Sequence, residues 1–176
     1  MWDEMVPILI VSASGRALAC AARRAGFVTR VLDLFNDADT RACAQVSEAV
    51  PVADSGFDPE ARLVAAERLA PADHGFGRVY GSGVEHSSAL LERLAWGRTL
   101  LGNAPEVLRV VKDPALFFSL LTRLGIPHPE TRLERPVRPE GWLVKRVGGS
   151  GGGHVRFLNA EALEDTECYF QRRLDG

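Results

Sequence analysis

The chain has 176 residues, of which 46% are hydrophobic and 25% charged, and its formal net charge is −2. That mix suits a globular protein of one α/β domain or two small ones. It excludes a strongly basic surface for nucleic acid, and no apolar run approaches the roughly 20 residues that span a membrane. Asp3 and Glu4 stand where a signal peptide would carry basic residues. From there, residues 7–13 form an apolar run that predicts a buried strand. Residues 17–22 are alanine-rich, with Arg23 and Arg24 behind them and Gly26 as a stop, which predicts a helix. A second strand is expected over 28–35, running into the acidic turn 36–39.

Strand, helix and strand in this order predict a parallel sheet. The pattern continues with a short strand at 49–52 and a helix at 59–69 capped by Asp58. Next come a strand at 78–81, a helix at 88–94 and a short strand at 99–101. After Pro105 the pattern changes. Helices are expected at 106–111 and 114–124, the second stopped by Gly125. Pro127 and Pro129 force an extended segment. Strands follow at 131–134, 142–147 and 154–158, then a short helix at 160–163 and a last strand at 168–174.

Cys20, Cys43 and Cys168 are odd in number and include no C-x-x-C pair. They predict reduced thiols in a cytoplasmic protein, each a small buried hydrophobe. His74, His86, His128 and His154 show no metal-ligand spacing, and Asp33, Asp37 and Asp39 read as a solvated strand-end turn.

The segment around Gly148, Gly149, Ser150, Gly151, Gly152, Gly153 and His154 is the sharpest local feature. Two apolar strands flank it, and Lys145 lies in the first. Five glycines let backbone N–H groups approach an anion without interference from Cβ atoms. A hairpin tip is the plain alternative. Neither a Walker A loop nor a Rossmann fingerprint is present. The loop Ser12, Ala13, Ser14, Gly15 has one glycine, which favours a tight turn over dinucleotide binding. The turn holding Gly81, Ser82, Gly83 and Glu85 is a candidate substrate contact, with a structural turn as the plainer reading. Of the 21 basic residues only Lys112 and Lys145 are lysines. A compact ammonium and a planar guanidinium are not interchangeable, so these two positions draw notice.

Four blocks, taken together, resemble the ATP-grasp superfamily. They are Lys112-Asp113-Pro114, the segment 124–131, Lys145 with its glycine loop, and Tyr169-Phe170-Gln171-Arg172-Arg173-Leu174-Asp175-Gly176. The resemblance implies an α/β fold in two parts: a Rossmann-like parallel-sheet domain at 1–104, then the α+β small lobe of an ATP-grasp domain at 105–176. The segment 79–85 and Leu101-Gly102-Asn103 also resemble a branch of predicted carboligases linked to one-carbon metabolism with methanopterin-type or methanofuran-type cofactors. Lys112 would then meet the α-phosphate, Lys145 would lie between phosphate and adenine, and the glycine loop would cover the β- and γ-phosphates. Gln171, Arg172 and Leu174 would form the hinge that reads the adenine through the backbone.

The implied activity is ligation of a small-molecule carboxylate to an amine through an acyl phosphate, with ATP and Mg²⁺. The magnesium ligands and the arginine for the acyl phosphate would fall beyond Gly176. The expected protein is therefore a fragment, inactive alone, with no metal site of its own. The partners implied are ATP and the two substrates, not nucleic acid or membrane, and a homodimer is compatible. The segment between Thr131 and Lys145 is too short for a helix that many relatives have there. The rival readings are a non-catalytic nucleotide-sensing or partner-binding module, and a dinucleotide-binding oxidoreductase domain.

Overall fold

A computed structural model describes residues 7–50, 52–53, 56–85, 87–149, 151–159 and 167–174. The helix expected at 160–163 lies outside them. The chain divides into two compact units, Met1–Pro105 and Glu106–Gly176.

The first unit runs β1 (Pro7–Val11), α1 (Arg16–Arg24), β2 (Val28–Asp33), α2 (Ala38–Cys43) and β3 (Val46–Ala49). It continues with β4 (Val52–Ala53), β5 (Gly56–Phe57), α3 (Pro59–Leu69), β6 (Gly77–Tyr80), α4 (Ser88–Ala95) and β7 (Thr99–Leu100). Five strands pair in parallel in the order β3-β2-β1-β6-β7. Side chains cap the starts of α3 and α4. Asp58 accepts from Glu60 N and Ala61 N ahead of Pro59, and Ser87 accepts from Leu90 N. Such caps satisfy amides that have no partner within the helix.

Strand alternation divides the core. Ile8, Ile10 and Val31 pack with Ala19 of α1 on one face. On the other face, register aligns Arg30, Leu9 and Arg78 across three strands. Two arginines there serve the C-terminal end of α3. Arg30 donates to the Leu69 carbonyl and lies over the Phe76 ring at 4.7 Å. Arg98 donates to the Ala70 carbonyl through Nε at 2.9 Å and also pairs with Glu67. Cations suit the negative end of a helix. Arg78 differs: it is fully buried, and its three guanidinium nitrogens have no hydrogen-bond partner among the described residues. Burial pulls its pKa down to about 9, the Arg98 charge adds to this, and Glu67 opposes it.

Several expectations need correction. The stretch 36–39 is not a simple turn: Asp37 caps α2, accepting from Thr40 N at 2.7 Å. The expected strand at 49–52 lies earlier, at β3, a polar edge strand without a strong apolar signal, and β4 and β5 form a separate antiparallel pair. Asp33 is not solvated. It is fully buried and accepts from the Gly15, Phe35 and Asn36 amides and the Thr40 hydroxyl. Cys20 and Cys43 are not reduced thiols: they form a disulfide tying α1 to α2, and Cys168 is the free cysteine. The packing of α2 on α1 brings the pair together, with Cα atoms 5.0 Å apart.

The second unit holds α5 (Pro105–Lys112), α6 (Pro114–Arg123), β8 (Thr131–Arg132), β9 (Trp142–Arg146), β10 (Arg156–Phe157) and β11 (Cys168–Arg172). Asp113 caps α6, accepting from Leu116 N at 3.0 Å. The strands are antiparallel in the order β10-β9-β11-β8. Trp142, Val144 and Phe170, with Leu158, form the buried core of this sheet. Alternation turns Leu143, Lys145, Tyr169 and Gln171 to the opposite face. There Phe118 of α6 meets Tyr169 at 6.2 Å and His128 at 5.3 Å.

Candidate functional site

A cavity of about 190 Å³ opens within the second unit. Lys112, the last residue of α5, borders it, as do Arg146, Gly148 and Gly149 at the end of β9. Phe117, Phe118 and Tyr169 supply an aromatic wall. The backbone turns sharply beyond β9: Gly148 has φ +70°, and Gly149 N donates to the Arg146 carbonyl at 3.2 Å. Gly149 has a packing reason as well, since a Cβ there would stand 2.5 Å from the His154 ring. The wall is electrically neutral, being two phenyl rings and a phenol whose pKa burial raises further. The cations are not. Among the described residues, the side chains of Lys112 and Arg146 have no hydrogen-bond or ion-pair partner. Two uncommitted positive charges beside a glycine turn and aromatic rings suit an anion attached to a flat ring.

Lys145 does not line this cavity. Its Nζ donates to Gln171 Oε1 at 2.5 Å, and Gln171 is 8% exposed. Gln171 Nε2 donates in turn to Thr131 Oγ1 at 3.2 Å. Of the hinge candidates, Arg172 is committed elsewhere through its side chain. It donates to the Glu140 carbonyl at 3.0 Å and lies 5.5 Å from the Trp142 ring centre. Its amide donates to the Glu130 carbonyl at 2.8 Å. Leu174 is exposed. Gly151, Gly152 and Gly153 are exposed, with positive φ at Gly151 and Gly152, and Ser150 lies outside the described residues.

The other candidates belong to the first unit. Ala13 N donates to the Ser82 carbonyl at 2.6 Å, and a Cβ on Gly81 would strike the Ser12 hydroxyl. Arg62 donates to the Gly83 carbonyl at 3.2 Å, and Glu85 accepts from Val84 N at 3.0 Å. Much of this turn is therefore structural. It adjoins Tyr80, whose hydroxyl donates to the Asn103 carbonyl at 2.9 Å. Sequence reasoning gave no site role to the side chains of Arg146, Phe117, Phe118 or Tyr169. No motif marks Phe117 and Phe118 within the helix expected at 114–124, and only register and helix packing show these residues around a cavity.

No family model matches the chain, and no curated protein matches it in sequence. Solved structures do match it, and they place its fold: it is that of the N-terminal part of ATP-grasp enzymes. N5-carboxyaminoimidazole synthetase from Staphylococcus aureus, solved with ADP, matches 97% of the chain over 48% of its own length, at 17% identity and a TM-score of 0.67. The N5-carboxyaminoimidazole ribonucleotide synthetase of Thermotoga maritima matches 96% of the chain over 46% of its own, at 20% identity and a TM-score of 0.64. The biotin carboxylase domain of Hydrogenobacter thermophilus 2-oxoglutarate carboxylase, solved with MgADP, ADP and bicarbonate, matches 95% over 44%, at 16% identity and a TM-score of 0.66. The chain thus spans about half the length of these three structures.

Proposed function

We propose that this chain is the N-terminal part of an ATP-grasp ligase, with a Rossmann-like domain at 1–104 and the lobe that covers the nucleotide at 105–176. The complete enzyme joins a carboxylate to an amine or related nucleophile, through an acyl phosphate. The carrying observation is the gathering of Lys112, Arg146, Gly148 and Gly149 around one aromatic-walled cavity. In this reading the two cations neutralise phosphate charge, and the rings of Phe117, Phe118 and Tyr169 shelter the nucleotide from water. Lys145 lies between phosphate and adenine, and the backbone near Gln171 and Leu174 forms the adenine end. Positioning and charge neutralisation are what such a lobe contributes to acyl phosphate chemistry. Among the described residues no cluster of three or more His, Cys, Asp or Glu is arranged to hold a magnesium ion. Its ligands are assigned to the part of the enzyme that this chain does not match.

The substrates are proposed to belong to one-carbon metabolism with methanopterin-type or methanofuran-type cofactors, on the resemblance of 79–85 and Leu101-Gly102-Asn103. These two segments meet through the Tyr80–Asn103 hydrogen bond, which makes Gly81, Ser82, Gly83 and Glu85 the candidate substrate rim. A homodimer and a cytoplasmic location, where ATP is supplied, complete the reading. The Cys20–Cys43 disulfide departs from the reducing habit of that compartment.

Calorimetric titration with ATP tests the core of the proposal. In the complete enzyme, Lys112→Ala and Lys145→Ala are each expected to weaken ATP binding by about 2–4 kcal/mol, the range for removing one partner of a desolvated charge pair. Lys145→Arg is expected to be impaired as well, since a planar fork does not fit the place of a compact ammonium. Equal ATP affinity in wild type and both alanine variants would remove the nucleotide reading. The chain alone is expected to form no ADP from any carboxylate and amine.

A further inference from the structure

Three hydrogen bonds run in series across the face of the second sheet. Lys145 Nζ donates to Gln171 Oε1 at 2.5 Å, Gln171 Nε2 to Thr131 Oγ1 at 3.2 Å, and Thr131 Oγ1 to the Pro129 carbonyl at 3.0 Å. Their polarity is fixed from one end. A carbonyl oxygen only accepts, so the Thr131 hydroxyl must donate to Pro129 and keep its lone pairs for Gln171. The Gln171 amide must then show its NH₂ to Thr131 and its oxygen to Lys145. The opposite amide orientation would set NH₂ against an ammonium, donor against donor. Gln171 has little freedom to leave, since it is 8% exposed and β11 lies between β9 and β8.

The partner is an amide, not a carboxylate. Among the described residues no acidic group forms an ion pair with Lys145. A carboxylate at 171 would hold the ammonium as firmly but would cancel its charge at close range. An amide orients it and leaves the charge and two of its three N–H donors for another acceptor.

We infer that Gln171 and Thr131 are positioning residues that aim Lys145 at a nucleotide phosphate while keeping its positive charge uncompensated. The inference rests on the nucleotide reading above. It assigns the Gln171 side chain a task separate from any backbone contact to adenine.

The chain has only two lysines, so ¹⁵N-lysine labelling gives two ammonium signals, and Lys112→Arg assigns them. In the ligand-free chain, Lys145 protons are expected to exchange with water about tenfold more slowly than those of Lys112. That factor corresponds to a hydrogen bond of roughly 1.4 kcal/mol. Gln171→Met abolishes the difference, Thr131→Val reduces it, and Gln171→Glu keeps it. The last two are mild changes that preserve the test if Gln171→Met fails to fold. Gln171→Glu is expected to bind ATP about tenfold more weakly than wild type despite its slow Lys145 exchange. Equal Lys145 exchange in wild type and Thr131→Val, or wild-type ATP affinity in Gln171→Glu, overturns the inference. If the exchange pattern is as expected but millimolar ATP perturbs neither lysine in wild type, the nucleotide reading falls and the hydrogen-bonded series stands.

Discussion

The Gly15 amide donates to the Asp33 carboxylate at 2.9 Å, at the point where β1 gives way to α1. A dinucleotide-binding loop would offer such amides to a pyrophosphate. Here the protein's own buried Asp33 side chain takes that place, so the Gly15 amide is not free for a dinucleotide. Gly15 also cannot carry a side chain, because a Cβ would collide with Val31. Asp33→Ala would leave the Gly15, Phe35 and Asn36 amides without their acceptor, at a cost of about 3 kcal/mol. Asp33→Asn keeps one acceptor oxygen and is expected to lose less. Urea denaturation of the three proteins checks the order, and an unchanged midpoint in Asp33→Ala would contradict it.

Arg78 is a buried charge whose guanidinium has no hydrogen-bond partner among the described residues, so its folded state is penalised at neutral pH. Arg78→Met should stabilise the protein by about 1–3 kcal/mol at pH 7, as replacing buried charge by apolar packing does elsewhere. The pH sign follows from the lowered pKa. Above about 9 the folded protein releases the Arg78 proton, while the unfolded chain holds it to the much higher pKa of a free guanidinium. The wild type therefore regains stability as pH rises through that window, and its deficit against Arg78→Met shrinks. Chemical denaturation of both proteins at pH 7 and pH 10 measures this, and a constant difference would refute it.

The Cys20–Cys43 disulfide spans 23 residues of sequence. Closing a loop of that size removes unfolded-state entropy worth about 3 kcal/mol. Reduction, or the double replacement Cys20→Ser with Cys43→Ser, is expected to lower stability by that order. The first unit should melt earlier and the second should not respond. Thermal melts with and without reductant read this out, and coincident melts would mean the bond does not form in solution.

Amide exchange should single out Gly151, Gly152 and Gly153. They are exposed, and an added Cβ on any of them would meet no atom within 4 Å. Gly149 N and Val155 N are bonded to the Arg146 and Gly152 carbonyls, so they should exchange more slowly than the glycines between them. Saturating ATP should protect the loop. Protection equal to Val144 and Phe170 without ligand would show a packed turn rather than a phosphate cover.

What the sequence disclosed depended on range. α3 was legible residue for residue because Asp58 and Pro59 mark its start locally. The small helix α2 was hidden: its six residues carry an acidic, turn-like composition, and only the Asp37 cap declares it. β3 was misplaced because an edge strand reading Val-Ser-Glu-Ala lacks an apolar run. The disulfide could not be read, since no spacing rule pairs Cys20 with Cys43 before the α1–α2 contact is known. At the candidate site, Lys112, Lys145 and the glycines stood out by composition. The Gln171 side chain did not, because its meeting with Lys145 depends on a cross-strand register.

The order β10-β9-β11-β8 also bears on how the protein is made. β8 and β9 are not neighbours; β11 lies between them and is the last of the three to leave the ribosome. The parallel sheet of the first unit is complete in sequence by Leu100, whereas β8 has no partner until Cys168–Arg172 emerges. During translation the second unit therefore waits as an open hairpin while the first can already fold, since non-local pairing must follow synthesis of both strands. Ribosomes stalled shortly before codon 168 should display a folded N-terminal unit and a protease-sensitive nascent tail.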